Sequence, residues 1–222
     1  MPRPPRMMFA GECYHVLNRA NRKAEVFHES ADYAAFLNLI AKAQDHIRID
    51  IFALCLMPNH VHLVVRPIAD RDISRWMKWL FATHSIHYNK KHAKPGHVWQ
   101  GRFKAVPVQG DEHLLTVLRY VERNAMRAKL VSRAEEWTWG SLNWRERSWA
   151  FGASLLTRPP IDLPRWWTGF VNQPQTAAEL EAIRTSVNRQ RPFGDPDWVK
   201  RRTAEEQLEQ SFARVGRPRK AR

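Results

Sequence analysis

Long apolar runs are missing from this chain of 222 residues. The longest, Ile51 to Met57, falls far short of the roughly 20 residues that a membrane-spanning helix needs. The amino-terminal stretch Met1-Pro2-Arg3-Pro4-Pro5-Arg6 is charged and proline-rich, and no apolar segment follows that would make a secretory signal. Cysteine is scarce. Cys13 and Cys55 lack metal-ligand spacing, which excludes a disulfide framework or a zinc knuckle and fits reduced core thiols of a cytoplasmic protein. A long basic helix with a clean apolar face, as a membrane surface would require, is also absent. So are internal repeats.

Acidic residues are in deficit as well. Against 36 Lys+Arg stand 22 Asp+Glu, a formal charge of +14. Such a surplus points to a polyanionic partner, nucleic acid first, although a basic enzyme surface would give the same balance. What is present in quantity is apolar and aromatic: 44% hydrophobic residues with ten Trp and ten Phe, enough for a substantial core.

The periodicity predicts strands over 13–18, 48–56, 60–66 and 98–108, the last containing Gly101. Helices are predicted over 31–46, with Ser30 or Asp32 as cap, over 72–91, and from Asp111-Glu112 to about 128. The order β-α-β-β-α-β followed by an extra helix is an α+β, ferredoxin-like split βαβ arrangement: an antiparallel sheet with helices on one face. Beyond Trp137 the texture changes to an irregular wrap, Arg158-Pro159-Pro160 marks a linker, and helices are predicted over 176–190 and 197–210. The expected division is a domain of residues 1–157 and a helical extension, 158–222, with a basic tail.

Two short runs carry the chemistry. In Met57-Pro58-Asn59-His60-Val61-His62-Leu63-Val64-Val65, strand alternation puts His60 and His62 on one face and Val61, Leu63 and Val65 on the other. In Arg119-Tyr120-Val121-Glu122-Arg123-Asn124, helical spacing puts Tyr120 and Asn124 on one face. Together they can offer two imidazoles, an amide oxygen and a phenol to one spot, which describes a divalent metal site beside a tyrosine nucleophile. The alternative is a structural histidine pair, and two ligands alone make a poor metal site. Of the four tyrosines, Tyr14, Tyr33 and Tyr88 fit packing roles, and only Tyr120 has a hard-metal ligand one turn on. Trp99-Gln100-Gly101-Arg102-Phe103-Lys104 suits either stacking on unpaired bases or an ordinary edge strand. Gly216-Arg217-Pro218-Arg219-Lys220 is similar to a minor-groove-binding peptide, although a basic tail also binds any phosphate backbone.

These residues resemble the single-tyrosine HUH transposases (His-hydrophobic-His) of bacterial insertion sequences, and within them the transposases associated with repetitive extragenic palindromes (REP). The resemblance runs through Tyr14-His15-Val16 with Asn18-Arg19, the His60–His62 run, Trp99 to Phe103, Arg119-Tyr120-Val121 with Asn124, Arg127-Ala128 with Leu130-Val131, Arg191-Pro192-Phe193-Gly194-Asp195 with Trp198, and the basic tail. It implies His60, His62 and Asn124 as ligands of Mg²⁺ or Mn²⁺ and Tyr120 as nucleophile, cutting and rejoining single-stranded DNA beside a hairpin. Where many relatives read Asn-Pro-Val, this chain reads Asn124-Ala125-Met126. The expected DNA contacts are Arg3, Arg6, Arg19, Gln100, Arg102, Lys104, Arg217, Arg219 and Lys220. The expected setting is the cytoplasm, near the nucleoid, as monomer or homodimer. The rival readings are a hairpin-binding regulator that does not cleave and a phosphodiesterase that uses water.

Overall fold

A computed structural model describes residues 7–212, apart from residues 94 and 148. Arg3, Arg6, Arg217, Arg219 and Lys220, expected at DNA, lie outside the described residues.

The sheet is antiparallel and four-stranded. Its strands are β1 (Cys13–Arg19), β2 (Ile49–Met57), β3 (His60–Pro67) and β4 (Lys104–Val108), in the spatial order β2-β3-β1-β4. With α1 (Ser30–His46) after β1 and α2 (Asp72–His92) after β3, this is the split βαβ arrangement. β4 is shorter than the periodicity predicts. Residues 98–103 are a loop in which Trp99 makes one isolated bridge to Ala20, and Gly101 turns at φ +44°, a left-handed conformation that breaks a strand. The N-cap of α1 is Glu29, one residue ahead of Ser30, while Asp32, the other expected cap, acts from the third position of the helix. The Asp32 carboxylate reaches back to accept from the backbone N–H groups of His28 (2.8 Å) and Glu29 (3.2 Å), so the acid at the third position does the capping.

Alternation sorts the strands cleanly. Val16, Leu54, Leu56, Val61, Leu63 and Val65 point to one face, where α1 and α2 close over them with Phe36, Ile40, Trp76 and Leu80. Leu17, Cys55, Val64, Val106 and Val108 point to the other. That second face is covered by α3 (Glu112–Glu122) and the short α4 (Asn124–Arg127). The single helix predicted to 128 is therefore interrupted at Arg123, which has φ −81° and ψ 0°. α5 (Ser141–Arg147), α6 (Ala150–Ser154) and α7 (Trp167–Asn172) follow, with no counterpart in the prediction. α8 (Ala177–Arg189) is capped by Thr176 and Glu179, and α9 (Pro196–Glu205) starts at Asp195-Pro196 as predicted. No helix among the described residues is long and apolar enough to cross a membrane.

The carboxy-terminal helices share the second core, to which Trp167, Val171, Ile183 and Val187 contribute. Phe193 lies alongside β4, donating to Pro107 O (2.9 Å) and accepting from Gln109 N–H (3.0 Å), and so covers the exposed edge. Gly194 permits this approach, since a Cβ there would meet the Gln109 Oε1 at 2.5 Å. Farther on, Tyr14 donates its hydroxyl to Glu206 (2.7 Å), and Arg202 pairs with Glu12 (2.5 Å). Tyr14 and Glu206 are both buried. Both cysteines are buried free thiols, with burial pushing Cys13 up to about 11 and Cys55 up to about 12.

Burial raises the Glu206 carboxyl to about 8, against the opposing pull of the Tyr14 hydroxyl and Arg202. Its folded affinity for a proton exceeds its unfolded one, so it favours folding below about pH 4.5 and loses that contribution as pH climbs to about 8. Glu206→Gln, which keeps an acceptor for Tyr14, should therefore gain melting temperature relative to wild type between those pH values. Melting curves across this window test it, and a difference independent of pH would refute the assignment.

Candidate active site

The turn between β2 and β3 prepares the imidazoles. Pro58 O accepts from Val26 N–H (2.9 Å), Asn59 O from Ala20 N–H (2.9 Å), and Asn59 Nδ2 donates to Lys23 O (2.9 Å). That last bond orients the amide, so Asn59 Oδ1 faces His60 Nδ1 at 2.6 Å and must be the acceptor. The hydrogen of a neutral His60 therefore rests on Nδ1, and its lone pair is on Nε2. His62 Nδ1 lies 2.9 Å from His15 Nε2. In the tautomer with hydrogen on His62 Nδ1, His62 also presents a bare Nε2. The rings of His60 and His62 are 5.0 Å apart, centre to centre.

All three imidazoles are held neutral. Burial, then Arg127, pushes His15 down to about 3. Burial, then Arg19 and Arg127, pushes His60 down to about 4. His62 is lowered well below its usual value by burial first, then by the neighbouring histidines and the same arginines. A neutral imidazole is the form that binds a metal, so these rings present lone pairs at neutral pH.

Across the sheet face, α3 and α4 bring up Tyr120 and Asn124. The Tyr120 ring meets His15 and His62 edge-on, with centres 5.9 and 6.0 Å away. Asn124 is buried; its Oδ1 accepts from Arg127 Nη2 (2.7 Å), and its Nδ2 has no partner among the described residues. Arg127 also lays its guanidinium 4.0 Å above the Tyr120 ring and donates to Tyr120 O (3.3 Å). Every contact of Arg127 is to a neutral group, and it makes no ion pair among the described residues. Of the expected quartet, Tyr120 thus meets His62, which adjoins His60, and Asn124 is linked to Tyr120 through Arg127; His15 and Arg127 are two residues beyond the quartet that join the cluster.

As metal donors the groups fit. Two neutral imidazoles and an amide oxygen with a second lone pair suit a divalent first-row ion or magnesium, with coordination left over for phosphate oxygens. A different group, Asp111, Glu112 and His113, brings its ligand atoms within 4.8 Å of one another. It is occupied as a helix cap, with Asp111 Oδ1 accepting from His113 N–H (2.9 Å) and paired with His113 Nδ1 (2.8 Å).

The remaining expected DNA contacts spread along one edge. Arg19, whose Nε is buried without a partner, ends β1 opposite His60. Gln100 is exposed, its backbone N–H bonded to Arg19 O (2.8 Å). Arg102 and Phe103 line a cavity with Asn18, Met77, Lys78 and Phe81. Lys104 starts β4 and donates to Asn188 Oδ1 (3.4 Å). Trp99 is not a platform for bases: it is buried edge-on against Phe81 (4.6 Å), with its Nε1 donating to His84 (3.2 Å).

An antiparallel sheet with paired imidazoles on one face and a tyrosine helix laid across them frames a class of DNA transposases, and the chain belongs to the IS200-like transposase family, whose profile matches residues 10–124. It is an enzyme of that class. Its fold is similar to that of a REP-associated tyrosine transposase solved bound to a REP hairpin, with TM-score 0.55 and 16% identity over 73% of this chain and 92% of that one. A putative transposase from Deinococcus radiodurans R1 aligns with TM-score 0.40 and 16% identity over 55% of this chain and 97% of that one. No curated protein sequence matches the chain. The resemblance drawn from the motifs is thus borne out for family and fold.

The angle of α3 depends on Glu122. Its buried carboxylate accepts from Ser141 Oγ (2.6 Å), Trp167 Nε1 (2.6 Å) and Arg145 Nε (3.1 Å). Glu122→Ala would strand three donors and should lose about 3–5 kcal/mol of stability. Urea unfolding measures it; a loss below about 1 kcal/mol, the range of a surface pair, would show that these bonds do not hold the helix.

Proposed function

We propose that this transposase cuts and rejoins single-stranded DNA beside hairpins of the REP kind, with Tyr120 as nucleophile. The observation that carries the reading is the convergence of Tyr120 with two neutral imidazoles and a buried amide oxygen. His60 and His62 would hold Mg²⁺ or Mn²⁺ through Nε2, and Asn124 through Oδ1. The ion would supply neutralisation of charge on the scissile phosphate, which a phenol needs because it is a sluggish nucleophile at neutral pH.

In this reading the Tyr120 oxygen attacks phosphorus, the bond to the 3′ oxygen breaks, and the phenolic proton is given up as that oxygen leaves as a 3′ hydroxyl. The 5′ phosphate stays on Tyr120. One ester replaces another, so the strand can be passed to a new 3′ end without an outside energy source. The base-pairing of a hairpin next to the site would fix where the flanking single strand lies, while Arg19, Gln100, Arg102 and Lys104 would hold its phosphates and bases. We take residues 1–157 as the catalytic part and 158–222 as an extension, of which the described helices pack on it.

The deciding experiment incubates the protein with Mn²⁺ and end-labelled hairpin DNA drawn from palindromes flanking its gene. A protein–DNA adduct that survives denaturation and is lost in Tyr120→Phe is the expected result. Binding without cleavage by wild type would favour the hairpin-binding regulator, and cleavage surviving in Tyr120→Phe would mean that water attacks. A second expectation concerns His15, whose bond to His62 Nδ1 fixes that ring (2.9 Å). His15→Phe should weaken Mn²⁺ binding about 10–100-fold by calorimetry, with the fold retained. Unchanged affinity would remove His15 from the site.

A further inference from the structure

The extension contributes more than packing. α8 buries Ile183 and Val187 in the second core, and in doing so turns the neighbouring positions Arg184 and Asn188 to the solvent beside the candidate site. Asn188 reaches Lys104 at the start of β4 (3.4 Å). Arg184 is close enough that its charge bears on the Arg127 guanidinium above Tyr120. Lys104 in turn feels the charge of Arg19, which ends β1 opposite His60. Four cations thus neighbour the imidazoles or one another: Arg19 and Arg127 bear on His60 and His62, Lys104 lies near Arg19, and Arg184 near Arg127. None of the four forms an ion pair among the described residues, although carboxylates pair with Arg66, Arg75, Lys91, Arg119 and Arg202 elsewhere.

Leaving the half-buried Arg19, Lys104 and Arg127 without counter-ions costs free energy through mutual repulsion and lost hydration. A polyanion supplies the missing charge. We infer that α8 extends the strand-binding surface beside the active site, so that Arg184 and Asn188 contact the backbone of the single-stranded DNA flank alongside Lys104 and Arg19 on the sheet edge. α8 lies outside residues 10–124, the part that matches the family. The chain would therefore enlarge its strand-binding surface with an element beyond the shared catalytic frame. This inference rests on the DNA-cleaving reading for the position of the scissile strand, and its test reads binding alone.

The experiment uses Tyr120→Phe protein, so that binding is measured whether or not the chain cleaves. Two fluorescein-labelled hairpins serve as probes, one with single-stranded flanks and one blunt. Fluorescence anisotropy is read from low to high salt. Arg184→Glu in this background should weaken the flanked hairpin about tenfold or more at low salt, and reduce the salt slope by about 0.7 per lost single-strand phosphate contact. Binding of the blunt hairpin should change little. Arg184→Gln should lose less, and Arg201→Glu, the same charge reversal on α9, should leave the flank preference intact. Because Arg184 is exposed, the melting temperature should not move. Equal weakening on both probes would place Arg184 at the duplex and overturn the inference. Unchanged binding on both, or no preference for the flanked probe in the parent protein, would overturn it too. Absence of any adduct from the wild-type protein in the separate cleavage assay, with flank-dependent binding retained, would count against the cleaving reading and leave the strand-binding surface standing.

Discussion

The buried carboxylate of Glu122 is the joint on which the active face depends. Its two oxygens gather donors from α5 and α7, and Arg145, which it orients, also donates to the Phe52 carbonyl at the β2 edge. Glu122 therefore fixes α3 against the sheet. Tyr120 lies two residues away on the same helix, so a rotation of α3 that broke these bonds would swing the phenol off the imidazoles. The hydrogen bonds here are charge-assisted and buried, which makes each stronger and the loss of any one costlier than at a surface.

The second determinant is an imbalance of charge. The imidazoles are kept neutral by burial and by arginines, and the charges that bear on His15 and His60 are those of Arg19 and Arg127. Neutral nitrogen donors in a positive field are ready for a metal ion only when an anion arrives with it. In the proposed reaction a phosphodiester would do both jobs at once, as ligand to the ion and counter-ion to the arginines. The net charge of +14 is thus not spread as a uniform coat: part of it is concentrated around the neutral imidazoles.

Much of this was legible beforehand. Alternation in Val61-His62-Leu63-Val64-Val65 placed both imidazoles on the face opposite the aliphatic residues, because a strand covered on both sides still has only two directions for its side chains. The helical spacing of Tyr120 and Asn124 survived the break at Arg123, since the backbone there stays in the right-handed helical region. The fourth strand was overextended because Trp99 and Phe103 have the β-propensity of a strand, while Gly101 turns left-handed between them. Trp99 reads in sequence like a stacking platform, yet the core takes its ring, as burial of a large aromatic surface outweighs exposure to a base. In sequence His15 stands only within the Tyr14-His15-Val16 motif; a lone polar residue between the apolar Cys13 and Leu17 on one face of the strand is the available signal. Arg127 likewise stands in sequence only within the Arg127-Ala128 stretch of the resemblance, which gives it no role of its own.

By itself the sequence determined the order of elements, the face of each strand and the chemical types at the site, because these follow from local periodicity and composition. Only the tertiary structure decided that His15 bonds to His62, that Arg127 lies between Asn124 and the Tyr120 ring, and that α8 comes to rest beside Lys104. These are contacts between residues distant in the chain or dependent on side-chain direction, and they are set by how two cores close on opposite faces of one sheet. No local pattern encodes which of 36 cations will be left without a carboxylate.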